Sequence, residues 1–305
     1  MTSPFGPLVL IANPNAGRGQ VDKALPRVES VLKNENLSYR IVRTTHPGHA
    51  TEAARQALRD GERYLVAVGG DGTVHEVVNG MVSGGGPLVS DAVLGVVAAG
   101  SGSDFIRSFG PPADAEQAAR HLAGDQVRPL DVGTVTCADG ETRCFANIAQ
   151  VGLGAAVVAR AAGLRAGRLL GGARYAAAFW LTLPGFRPAP ATLDADGHSY
   201  AWRAFNVVVA NCRFYGGGMQ ISPNSDPGDG LLDILVMTGP KSDSFTTLPK
   251  VYKGAHLPHR NIAELRAGRL SVEADPGFPV EADGELLGTT PASFGIIPGA
   301  LRLKV

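Results

Sequence analysis

The chain has 305 residues, balances 28 Lys and Arg against 28 Asp and Glu, and is 44% hydrophobic. That composition excludes a disordered chain, and zero net charge excludes recruitment of nucleic acid by a global field. Its three cysteines, Cys137, Cys144 and Cys212, form neither a CxxC pair nor an even-numbered secreted framework, so reduced thiols in a cytoplasmic protein are expected.

Residues 1–7 lack the basic start of a signal peptide and lead into a first strand, 8–12. A loop, Asn13-Pro14-Asn15-Ala16-Gly17-Arg18-Gly19, precedes a helical pattern over 21–33. A second strand is expected at 39–43, ended by Thr44, and an Ala-rich helix at 49–60. The third strand, 64–68, runs into Gly69-Gly70-Asp71-Gly72-Thr73 and a helix over 74–82. The fourth, 94–98, runs into Gly100-Ser101-Gly102-Ser103-Asp104, with a further helix at 113–123. Strands alternating with helices of this length predict a parallel, doubly wound sheet with right-handed crossovers.

After Pro129 the pattern changes to serial strands at 132–137, 144–149, 204–211, 231–237, 270–273 and 279–282, with few helical signals, notably at 172–183 and 244–252. This predicts a largely antiparallel sandwich. The expected domains are 1–126 and 127–291, and strands within 292–305 could complete either. No stretch reaches the roughly 18–20 apolar residues of a membrane span. The best candidate, 144–159, is broken by Asn147, Gln150, Gly152 and Gly154.

Three Gly-rich loops follow strands of one parallel sheet, and ligands of such sheets bind beyond the carboxyl ends of the strands. Glycine turns at helix N-termini expose N–H groups to anions and add the helix dipole. One such loop could be an ordinary turn; three on one edge favour a phosphate site. There is no GxxxxGK[ST], and no GxGxxG follows the first strand, so neither a P-loop nor the dinucleotide fingerprint applies.

In the second domain, Val280-Glu281-Ala282-Asp283-Gly284-Glu285 alternates apolar and acidic residues. If one strand continues through it, Glu281, Asp283 and Glu285 share a face. Clustered carboxylates suit proton abstraction from an alcohol, whereas an Asp-Gly hairpin is the plainer reading. The tight loop 222–233 crowds oxygen donors and could suit Mg²⁺ or be a simple turn. From Thr142 to Leu193 there is no Asp or Glu, while Arg143, Arg160, Arg165, Arg168, Arg174 and Arg187 accompany Tyr175, Phe179, Trp180 and Phe186. That surface would suit anionic lipid head groups, unless the aromatics are core.

With Asn13-Pro14 and Gly17, GGDGT at 69–73, and Gly-Ser-Gly-Ser-Asp-Phe-Ile-Arg at 100–107, the sequence resembles the diacylglycerol kinase catalytic-domain family over nearly its whole length. The family includes sphingosine and ceramide kinases and small bacterial lipid kinases. Ser101 stands where that family has Thr, and Ser103 where it has Asn. The resemblance implies an NAD-kinase-like α/β domain, a β-sandwich, and transfer of the γ-phosphoryl group of ATP to a lipid hydroxyl. Diacylglycerol is the expected acceptor, giving phosphatidic acid; a sphingoid or other lipid alcohol is the alternative. NAD kinases share GGDGT but not the 100–107 motif or the late Asp-Gly-Glu.

The resemblance assigns Asn13, Pro14, Asn15, Ala16, Gly17, Thr44, Gly69, Gly70, Asp71, Gly72, Thr73 and Ser101 to ATP. It makes Glu285 the proton acceptor, with Asp283 its rival. It gives Asp226, Asp229 and the carbonyl of Leu231 to a structural Mg²⁺, separate from the ion that accompanies ATP. Such a protein would meet its lipid peripherally at the inner face of the membrane, and a homodimer is compatible with the sequence.

Overall fold

A computed structural model of the chain describes residues 3–99, 103–110, 114–164 and 173–305. Its contacts divide into two units, 1–132 with 298–305, and 133–297.

In the first unit, β1 (Leu8–Ala12) leads to α1 (Gln20–Asn34), β2 (Tyr39–Arg43) to α2 (His49–Arg59), and β3 (Tyr64–Gly69) to α3 (Asp71–Met81). Then come β4 (Val93–Ala98), the short α4 (Asp104–Arg107) and α5 (Ala115–His121). The strands pair in parallel in the order β2-β1-β3-β4, and Arg302 and Leu303 of the C-terminal strand add beside Val93 and Leu94. β1 and β3 are wholly buried and apolar, as central parallel strands covered on both faces must be. Ala12 pairs with Arg43 and with Val68, and Gly69 with Ala98, so these strands all end together.

Two residues downstream of GGDGT fix how α2 and α3 pack. A Cβ at Gly80 would lie 2.5 Å from the Ala54 Cβ and 2.6 Å from the Thr51 carbonyl oxygen, so only glycine lets the helices approach this closely. Glu76 Oε2 accepts the Ala50 amide at 3.0 Å, capping the first turn of α2.

The second unit contains β5 (Val127–Thr136) beyond Val132, β6 (Thr142–Phe145), β7 (Ile148–Gly152), α6 (Leu153–Gly163) and α7 (Ala173–Thr182). It continues with the hairpin β8 (Ala189–Ala195) and β9 (His198–Ala204), then β10 (Asn206–Ala210), β11 (Leu232–Met237) and α8 (Ser244–Val251). β12 (Ile262–Ala267), β13 (Arg269–Ala274), β14 (Pro279–Ala282) and β15 (Glu285–Thr289) follow. One sheet is antiparallel throughout, in the order β12-β11-β10-β7-β14-β15. The other pairs β9, β8, β13 and the first residues of the C-terminal strand, also antiparallel. Leu193, Val272 and Phe294 from one sheet meet Val151, Val209, Ile234 and Val280 from the other in one buried apolar core. This is a β-sandwich.

The segment read from sequence as one strand, 144–149, is two: the chain breaks direction at Ala146-Asn147. α6, β8, β9 and β12 were not expected from the sequence.

His256 lies in this unit, 2% exposed, with Nε2 3.0 Å from the Ile221 carbonyl and Nδ1 buried without a partner among the described residues. Burial, aided by the nearby His259, pulls its imidazole below the ordinary range. The folded protein therefore keeps it neutral, while the unfolded chain takes a proton at about pH 6.5. Stability should fall as pH drops through about 6.5, by up to ~1.4 kcal/mol per pH unit. Urea unfolding at several pH values should show a steeper acid loss in wild type than in His256→Gln. Equal slopes would refute this role.

Candidate functional site

The loops after β1, β2 and β3, and Ala99 after β4, lie on one edge of the first unit's sheet. Asn13 extends the sheet by donating its amide to the Val68 carbonyl at 3.1 Å, and its Oδ1 accepts the Asn15 amide at 3.0 Å. Its side chain thereby shapes the turn that carries Pro14 and Asn15. Ala16 opens a short 3₁₀ turn in which Gly17, Arg18 and Gly19 take φ values of 58°, 60° and 81°. Thr44, 8% exposed, donates its amide to the Ala12 carbonyl at 2.9 Å.

Of the glycines at 69, 70 and 72, Gly69 alone is required by its described surroundings. A Cβ at Gly69 would lie 2.3 Å from Thr73 Oγ1, so the first turn of α3 sits directly against the end of β3. A Cβ at Gly70 or Gly72 would meet nothing among the described residues within 4 Å, and Gly70 has an extended backbone (φ −101°) that any residue adopts. Thr73 is 4% exposed, and its Oγ1 has no partner among the described residues.

Asp71 ties two loops together. Its Oδ2 accepts the Asp104 amide at 3.1 Å and its Oδ1 the Phe105 amide at 3.0 Å, so a carboxylate on α3 caps the first turn of α4. Ser103 precedes that turn in a left-handed conformation (φ 53°). Ser101 lies outside the described residues.

In the second unit the row of carboxylates expected along one strand does not form. The chain reverses at Asp283-Gly284, with φ of 49° and 90°, and Ala282 pairs with Glu285 across a two-residue hairpin. Asp283 faces the break between β6 and β7: Oδ2 accepts the Ala146 amide at 2.9 Å, and Oδ1 accepts those of Asn147 and Ile148 at 3.1 and 3.0 Å. Glu281 is 3% exposed; it accepts from Gln150 Nε2 and from the Gly284 amide, both at 2.9 Å. The turn is thus gripped from both sides, and Glu285 follows it exposed, at the start of β15.

Sequence reasoning missed Asn147, whose buried Oδ1 has no partner among the described residues and whose backbone meets Asp283. A polar residue inside the apolar run 144–149 was the available signal.

Asp226, Asp229 and Leu231, the residues that the resemblance gives to a structural Mg²⁺, lie together in the loop before β11. Asp229 pairs with Arg266 Nη2, and Arg266 Nε reaches Asp233 at 3.2 Å, so a guanidinium supplies the positive charge there. The Gly228 amide donates to Asp226 Oδ1 at 3.2 Å and the Leu231 amide to Asp229 Oδ1 at 3.0 Å. Burial pushes the Asp233 carboxyl up, opposed by Ser225 and Arg266. Among the described residues no three His, Cys, Asp or Glu side chains gather to hold a metal.

The glycines invite a paired test. Gly69→Ala should strain the β3–α3 junction by about 1–3 kcal/mol and weaken any phosphate bound at the turn with it. Gly70→Ala should leave thermal stability unchanged yet weaken phosphate binding there. Calorimetric binding and thermal unfolding separate the two, and loss of stability in Gly70→Ala would contradict the open space around it.

Residues 7–135 match the family described as "Diacylglycerol kinase catalytic domain", and residues 147–305 the "YegS C-terminal NAD kinase beta sandwich-like domain". The chain is 31% identical to "Diacylglycerol kinase" of Mycobacterium tuberculosis, over 98% of this chain and 95% of that protein. It is 30% identical to "Probable lipid kinase YegS-like" of Pseudomonas aeruginosa, over 98% and 93%. A solved diacylglycerol kinase from Bacillus anthracis shares the fold, with TM-score 0.76 and 24% identity over 99% of this chain and 97% of that one.

Proposed function

Because the chain belongs to the diacylglycerol kinase and YegS-like family of lipid kinases, we propose that it moves the γ-phosphoryl group of ATP to the hydroxyl of diacylglycerol, giving phosphatidic acid. Diacylglycerol is favoured because it is the acceptor named for the Mycobacterium tuberculosis and Bacillus subtilis relatives, at 31% and 28% identity.

The observation that carries the nucleotide role is the open glycine turn at the start of α3. Nothing among the described residues requires glycine at 70 and 72, whereas a phosphate lying on the backbone would. The amides of that turn and the α3 dipole would hold the triphosphate, with the 13–17 loop and Thr44 on the same edge. Asp71 serves by holding 103–105 in place. The Mg²⁺ that accompanies ATP supplies charge neutralisation at the phosphates.

The lipid oxygen forms a bond to the γ-phosphorus as the bond from that phosphorus to the β–γ bridging oxygen breaks, and ADP departs. The proton of the hydroxyl goes to Glu285. Asp283 is the weaker candidate, since its oxygens already accept three backbone amides. No helix among the described residues is long and apolar enough to cross a membrane, so the lipid would be met peripherally.

The test is incubation of the purified protein with labelled ATP and, separately, diacylglycerol, sphingosine, ceramide and NAD. Label in phosphatidic acid is the expected result. Label in sphingosine phosphate or ceramide phosphate would reassign the acceptor, and label in NADP would overturn a lipid substrate altogether.

A further inference from the structure

Four of the six large hydrophobic side chains exposed among the described residues sit on two helices of the second unit: Trp180 (38%) and Leu181 (57%) on α7, Phe245 (66%) on α8, and Tyr252 (52%) just after it. The inner face of α7 is ordinary core, since Ala178 is fully buried and Tyr175 and Phe179 pack with Leu153, Val157 and Phe205. Residues spaced three or four apart share a helix face. On α7, Trp180 stands four residues after exposed Ala176, and exposed Pro184 lies in the turn that follows the helix. On α8, Phe245, Pro249 and Tyr252 have the same spacing and are all exposed.

The two stripes are one surface. The Trp180 and Phe245 rings stack at 4.8 Å between centroids, with 29° between planes. Lys241, just before α8, donates Nζ to the carbonyls of Leu183, Pro184 and Phe186 at 2.8, 2.7 and 2.7 Å, pinning the end of α7 to the start of α8. Folding leaves a contiguous apolar patch on a rigid support, and such patches mark interaction sites.

The flanking charge identifies what covers it. Exposed Lys250, Lys253 and Arg187 border the patch, and no Asp or Glu occurs between 142 and 193. The nearby Asp243 accepts from Asn261 Nδ2 at 2.7 Å. Aromatic side chains set among cations match the interfacial zone of an anionic bilayer. We propose that the outer faces of α7 and α8 dock the protein on an anionic membrane surface, with Trp180 and Phe245 inserted among the lipids. This rests on the lipid-kinase reading, because such an enzyme must reach an acceptor held in a bilayer.

The test compares wild type, Trp180→Ser/Phe245→Ser and Lys250→Glu/Lys253→Glu. Each is sedimented with vesicles of phosphatidylcholine alone or mixed with phosphatidylglycerol. Each is also assayed on diacylglycerol in those vesicles and on a short-chain diacylglycerol dispersed below its micelle threshold. The aromatic variant should lose vesicle partitioning by about tenfold or more and lose turnover on vesicles in parallel, with turnover on dispersed substrate retained. The lysine variant, whose core is untouched, should lose binding to the anionic vesicles only, which keeps the test decisive if the aromatic variant misfolds. Wild-type partitioning by both variants overturns the proposal, as does a wild type that ignores anionic vesicles. A wild-type dimer that the aromatic variant dissociates, with vesicle binding intact, also overturns it in favour of a second copy of this chain. Failure of wild type to phosphorylate either form of substrate would sink the kinase reading instead, leaving sedimentation to decide the docking surface.

Discussion

Asp71→Ala is expected to lower kcat/KM by about 10²-fold or more, because misplacing binding groups by roughly 1 Å already costs that much. The carboxylate accepts two backbone amides, at 3.1 and 3.0 Å, from the first turn of α4. Bonds to a charged acceptor contribute roughly 1.5–3 kcal/mol each, so alanine releases the segment that follows β4 from α3. The loss should be visible both in ATP titration and in turnover. Asp71→Asn keeps one acceptor oxygen and should fall between the two. A variant that binds ATP normally would show that the two loops do not depend on this tie.

The second large effect separates two neighbouring carboxylates. Asp283→Asn should cost about 3 kcal/mol or more of stability, since the three amides of residues 146–148 lose a charged acceptor. Glu285→Gln should leave stability and ATP binding unchanged and lower phosphoryl transfer by about 10²–10⁴-fold. Unfolding curves and single-turnover transfer distinguish these outcomes. Near-normal transfer in Glu285→Gln would move the proton acceptor elsewhere.

The parallel sheet was legible because β1 and β3 are buried on both faces and read as unbroken apolar runs between helical periods. The serial strands after Pro129 likewise announced the antiparallel sandwich. α6 was hidden by its composition: Leu-Gly-Ala-Ala-Val-Val-Ala continues the apolar run of β7, and periodicity alone cannot divide them. The β8–β9 hairpin carried a readable signal in Asp196-Gly197, both with positive φ, at a two-residue turn. The same dipeptide at 283–284 ends a strand that simple alternation would have extended through Glu285.

Within the sites, the three glycine loops were legible as local motifs. The long-range ties were not: Asp283 meets amides some 135 residues earlier, and Glu76 caps a helix that precedes it. Nor could spacing show that Arg266, from a distant strand, would reach Asp229 and Asp233. Of the aromatics between 142 and 193, Tyr175, Phe179 and Phe186 pack inward, and Trp180 is exposed.

Ser103 sits in a backbone region that costs a side-chain-bearing residue about 1–2 kcal/mol, and that Asn and Gly visit most cheaply. The Asp71 carboxylate therefore acts as a latch on a sprung segment, spending part of its hold against the serine. Relaxing the spring should loosen the dependence: Ser103→Asn ought to soften the damage of Asp71→Asn, so that the double variant outperforms the product of the two singles.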